Sequence, residues 1–296
     1  MDAKNLIVGI ILLMGMTGCE KNVSLDLHTS AQQLVVDGKI ESGQAPVVVL
    51  TRSQDLFTRI DTTILKRLFV HGAKVTVTGG GVSVTLVEVS VDTLQGNKYY
   101  YYTVDSADQR KLIGRPGGTY DLHITVDGKD YDASTTIPSG GFRLDSVWWL
   151  WGVKDEKPDT TEAFLMARIV DPPALGNYAR YFTKCNDEPF YPGLSSVADD
   201  EITNGTTFDF QIDRGVDKNE KVDFNKYGYF NRGDRVTLKF CNIDKDTYQF
   251  WQTWEYAWSN QGNPFSTPTT VVGNVPGALG YWGGYQTQYK TITIPE

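Results

Sequence analysis

The chain is poor in the residues on which metal and redox chemistry depend. Its 296 residues include three cysteines (Cys19, Cys185, Cys241) and three histidines (His28, His71, His123). The histidines are far apart in sequence. None belongs to an H-E-x-x-H pattern or stands beside paired cysteines, so no zinc-binding spacing is present. No G-x-S-x-G turn precedes a helical pattern, and no glycine loop ends in G-K-S or G-K-T. The sequence signs of an α/β-hydrolase nucleophile and of a phosphate loop are therefore missing. Basic clusters are also lacking: 28 Lys and Arg stand against 36 Asp and Glu, a net charge of −8. Without a basic stripe to release counterions, nucleic acid is not expected as a partner. No apolar run reaches the roughly 20 residues that a comfortable membrane-spanning helix needs.

The longest apolar run, from Leu6 to Met16, follows Lys4 and precedes Thr17-Gly18-Cys19. A charged start, an apolar middle and small residues at the cut form the layout of a signal peptide, here residues 1–18. A cysteine directly after small residues resembles the lipobox of bacterial lipoproteins. That resemblance implies cleavage before Cys19 and lipidation of its thiol, with palmitate-type acyl chains. The other readings are an ordinary secretory signal with an incidental cysteine, or an uncleaved anchor. One acyl chain holds a protein only marginally, whereas two or more anchor it stably. After Cys19, the polar stretch Glu20–Ala31 reads as a tether, so residues 19–31 are lipidated Cys plus linker. Twelve extended residues reach about 40 Å. Glu20, where some bacteria read an inner-membrane retention aspartate, favours the outer membrane. Whether the periplasmic or the surface-facing leaflet holds the protein stays open.

The rest of the chain reads as mainly all-β. It carries 12 Pro and 29 Gly, 12% aromatic residues, and frequent Thr and Val, the composition of strands joined by turns. Residues 34–40 and 47–51 flank ESGQAP as a hairpin. Residues 73–78 and 82–89 alternate about Gly79-Gly80-Gly81, with one face buried and one wet. Residues 99–104, 119–126 and 129–137 are further strands, the last two joined at Asp127-Gly128. The spacing predicts a β-sandwich over residues 32–138, immunoglobulin-like in its last hairpin. Pro138-Ser139-Gly140-Gly141 marks a boundary. Residues 139–296 read as a second β-rich, sandwich-like module that holds all seven Trp. Its one convincing helix is 244–260, with Asp244 as cap and a broad aromatic stripe.

Few residues invite chemistry. An oxidising compartment permits a Cys185–Cys241 disulfide, the alternative being two separately buried thiols. The runs Asp199–Glu201 with Asn204, and Asp213–Asp223, are acidic enough to consider calcium, but neither has the glycine spacing of a helix–loop–helix site. No metal and no cofactor is expected. Trp148, Trp149 and Trp151 alternate faces of one strand, and an exposed pair could stack on sugar, although large aromatics more often fill cores. With Tyr281 and Trp282 in the glycine-rich tail, these are the candidate ligand or partner contacts. A hydrolase assembled from distant carboxylates such as Asp145, Asp171 and Glu255 has no supporting pattern.

Several segments together carry a resemblance: LVVDGKI, GAKVTV, GTYDLHITVDGKDYDASTTIP, VDPPALGNYARYF, RGDRVTLKF, DKDTYQFW, and GNPFSTP followed by GNVPGALGYWGGY. In this order they resemble a family of Bacteroidetes outer-membrane lipoproteins with a domain of unknown function. Genes of that family commonly lie beside those for TonB-dependent receptors. The resemblance implies a non-enzymatic accessory subunit of a TonB-dependent nutrient uptake system, anchored in the outer membrane through Cys19. It carries over no ligand-binding residues. The alternative is a surface lipoprotein that binds glycan or peptide through its Trp-rich module.

Overall fold

The computed structural model describes residues 31–54, 68–93, 96–108, 112–154, 157–224, 227–263, 265–267 and 269–296. The expected signal peptide 1–18, Cys19, nearly all of the tether 19–31 and residues 55–67 lie outside them.

Among the described residues sixteen strands and one helix are formed. The strands are β1 (Leu34–Glu41), β2 (Val47–Arg52), β3 (Lys74–Gly79), β4 (Val82–Thr85), β5 (Val87–Asp92), β6 (Lys98–Thr103), β7 (Thr119–Val126) and β8 (Lys129–Thr136). They continue with β9 (Arg143–Lys154), β10 (Lys157–Val170), β11 (Tyr178–Cys185), β12 (Tyr191–Asp199), β13 (Thr207–Ile212), β14 (Phe230–Asn231), β15 (Arg235–Ile243) and β16 (Leu279–Thr293). Helix α1 (Lys245–Ser259) lies between β15 and β16. The protein is mostly β, as its alternation and turn residues imply.

Three sheets result. A large one has the order β12-β11-β15-β16-β1-β2-β6-β5; two smaller ones are β4-β3-β7-β8 and β13-β10-β14, with β9 paired to β10. Strand alternation places the small sheets. On β16, Trp282 joins one buried cluster with Val36, Val75, Leu122 and Ile124. Farther along the same face, Ile292 packs with Leu165, Ile169, Leu238 and Phe240. Residues of equal parity share a face, so the two small sheets pack side by side on one face of the large sheet. The odd-numbered residues Tyr281 and Tyr285 face the other way and meet α1 through Tyr248 and Phe250. The arrangement is sandwich-like, two smaller layers against one shared layer.

The boundary placed at residues 138 and 139 falls between β8 and β9. The large sheet nevertheless draws β1, β2, β5 and β6 from before it and β11, β12, β15 and β16 from after it. The join is the parallel pairing of β1 with β16, from Val35 opposite Leu279 to Glu41 opposite Tyr285. Gln32–Glu296 form one compact unit. Residues 32–138 and 139–296 therefore do not each close a sandwich of their own.

Two local readings also change. The expected strand 82–89 divides at Leu86. Its N–H bonds to Val75 O at 2.7 Å and its side chain is buried. Before Leu86 the chain pairs with β3, and after it with β6 in the large sheet. The glycine-rich tail that holds Tyr281 and Trp282, expected as a contact segment, is strand from Leu279 onward. Gly280 makes this possible: its φ is 96°, and a Cβ there would lie 1.9 Å from Val36 O. Only glycine tolerates both the left-handed backbone and the contact. The turn at Asp127-Gly128 forms as expected, with φ of 52° and 70°.

Candidate functional site

The helix forms where its cap and aromatic stripe indicate. Asp244 accepts from Thr247 N at 2.9 Å, satisfying one of the free amides of the first turn. The same carboxylate accepts from Thr136 N at 3.1 Å and from Thr135 Oγ1, tying the helix start to β8. The stripe then rests on β16, with the Phe250 ring stacked on Tyr281 at 4.6 Å.

Under α1 lies a closed set of charges. Glu255 accepts from Ser196 N at 2.8 Å and from Ser196 Oγ at 2.5 Å. Arg180 Nε donates to Ser196 Oγ at 3.1 Å, and Lys218 Nζ donates to Glu255 Oε1 at 3.3 Å. The Arg180 guanidinium covers the Trp251 ring, 3.3 Å from its centre, and Lys218 Nζ lies 4.9 Å from that of Trp254. Trp251 Nε1 donates to Tyr285 Oη at 2.9 Å, and Tyr285 in turn to Tyr281. Burial holds the Lys218 ammonium below its usual range; Glu255 opposes this and Arg180 reinforces it. Arg180 and Glu255 are only 3% and 5% exposed, so this constellation has no room for a substrate. Its chemistry is to clamp helix, sheet and the 213–224 loop together.

A second buried pair lies on the same face of the sheet. Lys239 Nζ donates to Glu41 Oε2 at 2.6 Å, and Lys39 donates to the other oxygen at 3.0 Å. Burial raises the Glu41 pKa, but attraction from Lys39 and Lys239 prevails and the net shift is downward.

The sequence-expected contacts separate. In β9, Trp149 lies opposite Leu165 and Trp151 opposite Ala163, both inward; the two indoles are 4.7 Å apart and pack on the core. Trp148 lies opposite Met166 on the outer face, with the Arg168 guanidinium 5.6 Å from its ring. Arg168 is held by a bidentate pair with Asp209 at 2.7 and 2.9 Å. Leu150, 51% exposed, and half-buried Phe164, its ring tilted against Tyr229, continue this face. Tyr281 and Trp282 are corrected to core positions. Trp282 is fully buried and donates its indole N–H to Tyr120 O at 2.9 Å, because strand alternation aims it between the sheets.

The Cys185–Cys241 disulfide is likewise corrected: both thiols are free and buried. Cys185 lies opposite Val236, and Cys241 opposite Arg180. They are five steps apart along paired strands, about 17 Å, and on opposite faces. A disulfide spans at most about 7 Å between Cα atoms.

The carboxylates do not converge. Asp145 is ion-paired with Arg143 at the start of β9. Asp171 follows β10, bonded by Thr203 Oγ1 at 3.1 Å, and its pKa is raised by burial and by Asp200 against that bond. Glu255 is under the helix. Of the acidic runs, Asp200 accepts the N–H groups of Gly176 and Asn177 at 3.1 and 3.0 Å, which locks two loops together. Among the described residues no group of three or more His, Cys, Asp or Glu could hold a metal ion. His123 is a surface strand residue bonded to Asp132 at 2.7 Å.

Sequence reasoning missed Arg180, Ser196 and Lys218. They come from β11, β12 and a loop, and no spacing links them to Glu255. The outward-facing patch of Trp148, Leu150, Phe164 and Arg168 is the candidate contact face on this sheet. Comparison with curated proteins and with solved structures returned no match. The family comparison did, over residues 20–291, nearly the whole chain after the expected cleavage point. The chain therefore belongs to the family defined by the domain of unknown function DUF4249.

Proposed function

We propose that this protein is a non-enzymatic, lipid-anchored outer-membrane lipoprotein of Bacteroidetes type, acting as accessory subunit of a TonB-dependent nutrient uptake system. The observation that carries this reading is the lipobox-like run ending at Cys19, directly ahead of the family match that begins at residue 20. The anchor would keep a folded β unit at the envelope. The closed charge set under α1 supports a structural rather than a reactive use of its one buried helix carboxylate. The outer face of β9 and β10, with Trp148 and Leu150, supplies an apolar surface with a fixed cation, Arg168. Such composition suits a protein contact, where aromatics and Arg are enriched.

The experiment is gentle solubilisation of the native membrane followed by affinity isolation. Co-purification with a receptor barrel, reduced by Leu150→Asp, is expected; isolation free of any receptor ends the accessory reading. A second reading, glycan capture, follows from the partly buried, outward-facing Trp148 indole, which could stack on a sugar ring. Its test is intrinsic fluorescence against a broad glycan panel, compared with Trp148→Ala. Unmoved emission removes it.

A further inference from the structure

Residues 256–289 contain no Asp, Glu, Lys, Arg or His, 34 consecutive uncharged positions in a chain with 22% charged residues. The fold brings several described parts of this run together at one end of the folded unit. Helix α1 runs antiparallel to β16: Thr247 lies against Gly283, Phe250 against Tyr281, and Thr253 Oγ1 accepts from Val272 N at 3.0 Å. Gly273 lies on Gly280, where a Cβ would meet Gly280 O at 2.3 Å. The last helical turn, residues 271–273 and the start of β16 therefore share one pole. Their large apolar side chains face outward: Tyr256, Val271, Val272 (46% exposed) and Leu279 (45%). Phe265, in the connection that leaves the helix, is 95% exposed. Beside them Trp254 and Trp258 are half-buried, and nearby Arg52 is neutralised by Asp127.

The chain enters the folded unit at the same pole. β1 begins at Leu34, and Val35 pairs with Leu279. A membrane anchor ahead of Gln32 would be joined to the folded unit at this end. Aromatic and aliphatic side chains among Ser, Thr and Asn, without charge, are the composition that settles at a bilayer's headgroup boundary. Isolated exposed apolar residues are ordinary on any protein, but a contiguous apolar patch marks an interaction surface.

We propose that this pole is a membrane-docking face, whose occupant is the headgroup boundary of a neutral or zwitterionic bilayer. Tyr256, Val271, Val272 and Leu279 enter it, and α1 stands with its C-terminal end toward the lipid. The proposal rests on the anchor at Cys19, and the orientation it gives leaves the outer face of β9 and β10 to a partner. Tyr256, Val271, Val272 and Leu279 carry no charge, so docking through them is insensitive to salt.

The test uses the full lipidated chain, reconstituted in phosphatidylcholine–phosphatidylethanolamine vesicles. An environment-sensitive fluorophore is placed at Val272→Cys, or at Asp187→Cys as a control. Asp187 follows β11 beside the far end of β16, about 45 Å from Leu279 at the strand rise per residue. Lipids brominated in their acyl chains should quench the label at position 272 several-fold more than at 187, equally in low and high salt. Adding Val271→Asp and Leu279→Asp should bring the two labels level without loss of flotation. If the chain floats with the vesicles while both labels stay equally exposed, docking is overturned and the anchor stands. If the chain neither floats nor takes up an alkyne fatty acid at Cys19, the anchor fails and docking falls with it. Protection of position 272 only when a receptor is co-reconstituted would assign the pole to protein instead.

Discussion

Gly38 of β1 lies directly beneath the indole of Trp282 on β16: a Cβ on Gly38 would come within 2.8 Å of Trp282 Cε3. The two residues are opposite one another in the parallel pairing that joins the beginning of the chain to its end. The ring cannot withdraw, since its N–H is bonded to Tyr120 O across the sandwich. Gly38→Ala should therefore destabilise the fold by about 1–3 kcal/mol through overpacking. A lowered denaturant midpoint with an unchanged slope would show it; an unchanged midpoint would mean that the sheets shift to make room.

Removing Glu255 strands two cations under α1. Glu255→Gln is expected to cost about 3–5 kcal/mol, because Lys218 and Arg180 would stay buried without their counter-charge. The double variant Glu255→Gln with Lys218→Met should recover part of that loss. Thermal unfolding of the single and double variants measures the coupling, and additive losses would argue against the clamp.

Acid stability should depend on Glu41. Its carboxyl pKa is held below the ordinary value of 4.5, as Lys39 and Lys239 outweigh burial. A carboxyl depressed in the folded state contributes stability that is present above its unfolded value and is lost as pH falls through the folded one. The contribution should thus be intact at neutral pH and disappear below about pH 4.5. The acid limb of the stability curve should flatten in Glu41→Gln, at the cost of lower stability near neutrality. Parallel acid limbs in the two proteins would refute the role.

Both core thiols should be inert. Burial pushes the pKa of Cys185 and of Cys241 up to about 12, suppressing the reactive thiolate. Iodoacetamide should modify neither in the native protein and both after denaturation without reductant. Mass spectrometry of the non-reduced chain showing a linked pair would contradict the register of β11 and β15.

Much of the local structure was legible because local rules decide it. Asp244 announces a helix cap by its position before an aromatic stripe, and Asp127-Gly128 announces a tight turn by its backbone preferences. The same rules misplace β16, where Gly280, Gly283 and Gly284 read as loop. They also join β4 to β5, since alternation continues through Leu86 while the hydrogen-bond partner changes. The tail residues Tyr281 and Trp282 look like a contact surface for the same reason: their burial depends on Tyr120 and Phe250, far away in sequence.

The sequence alone determined the strand-rich class and the capped helix α1, because alternation and capping act between near neighbours. Tertiary structure alone decided that β1 and β16 close one sheet across both halves, that Arg180, Lys218 and Glu255 meet, that Cys185 and Cys241 stay apart, and which Trp faces water. These depend on pairing register between distant strands, where a shift of one residue exchanges the buried face for the wet one.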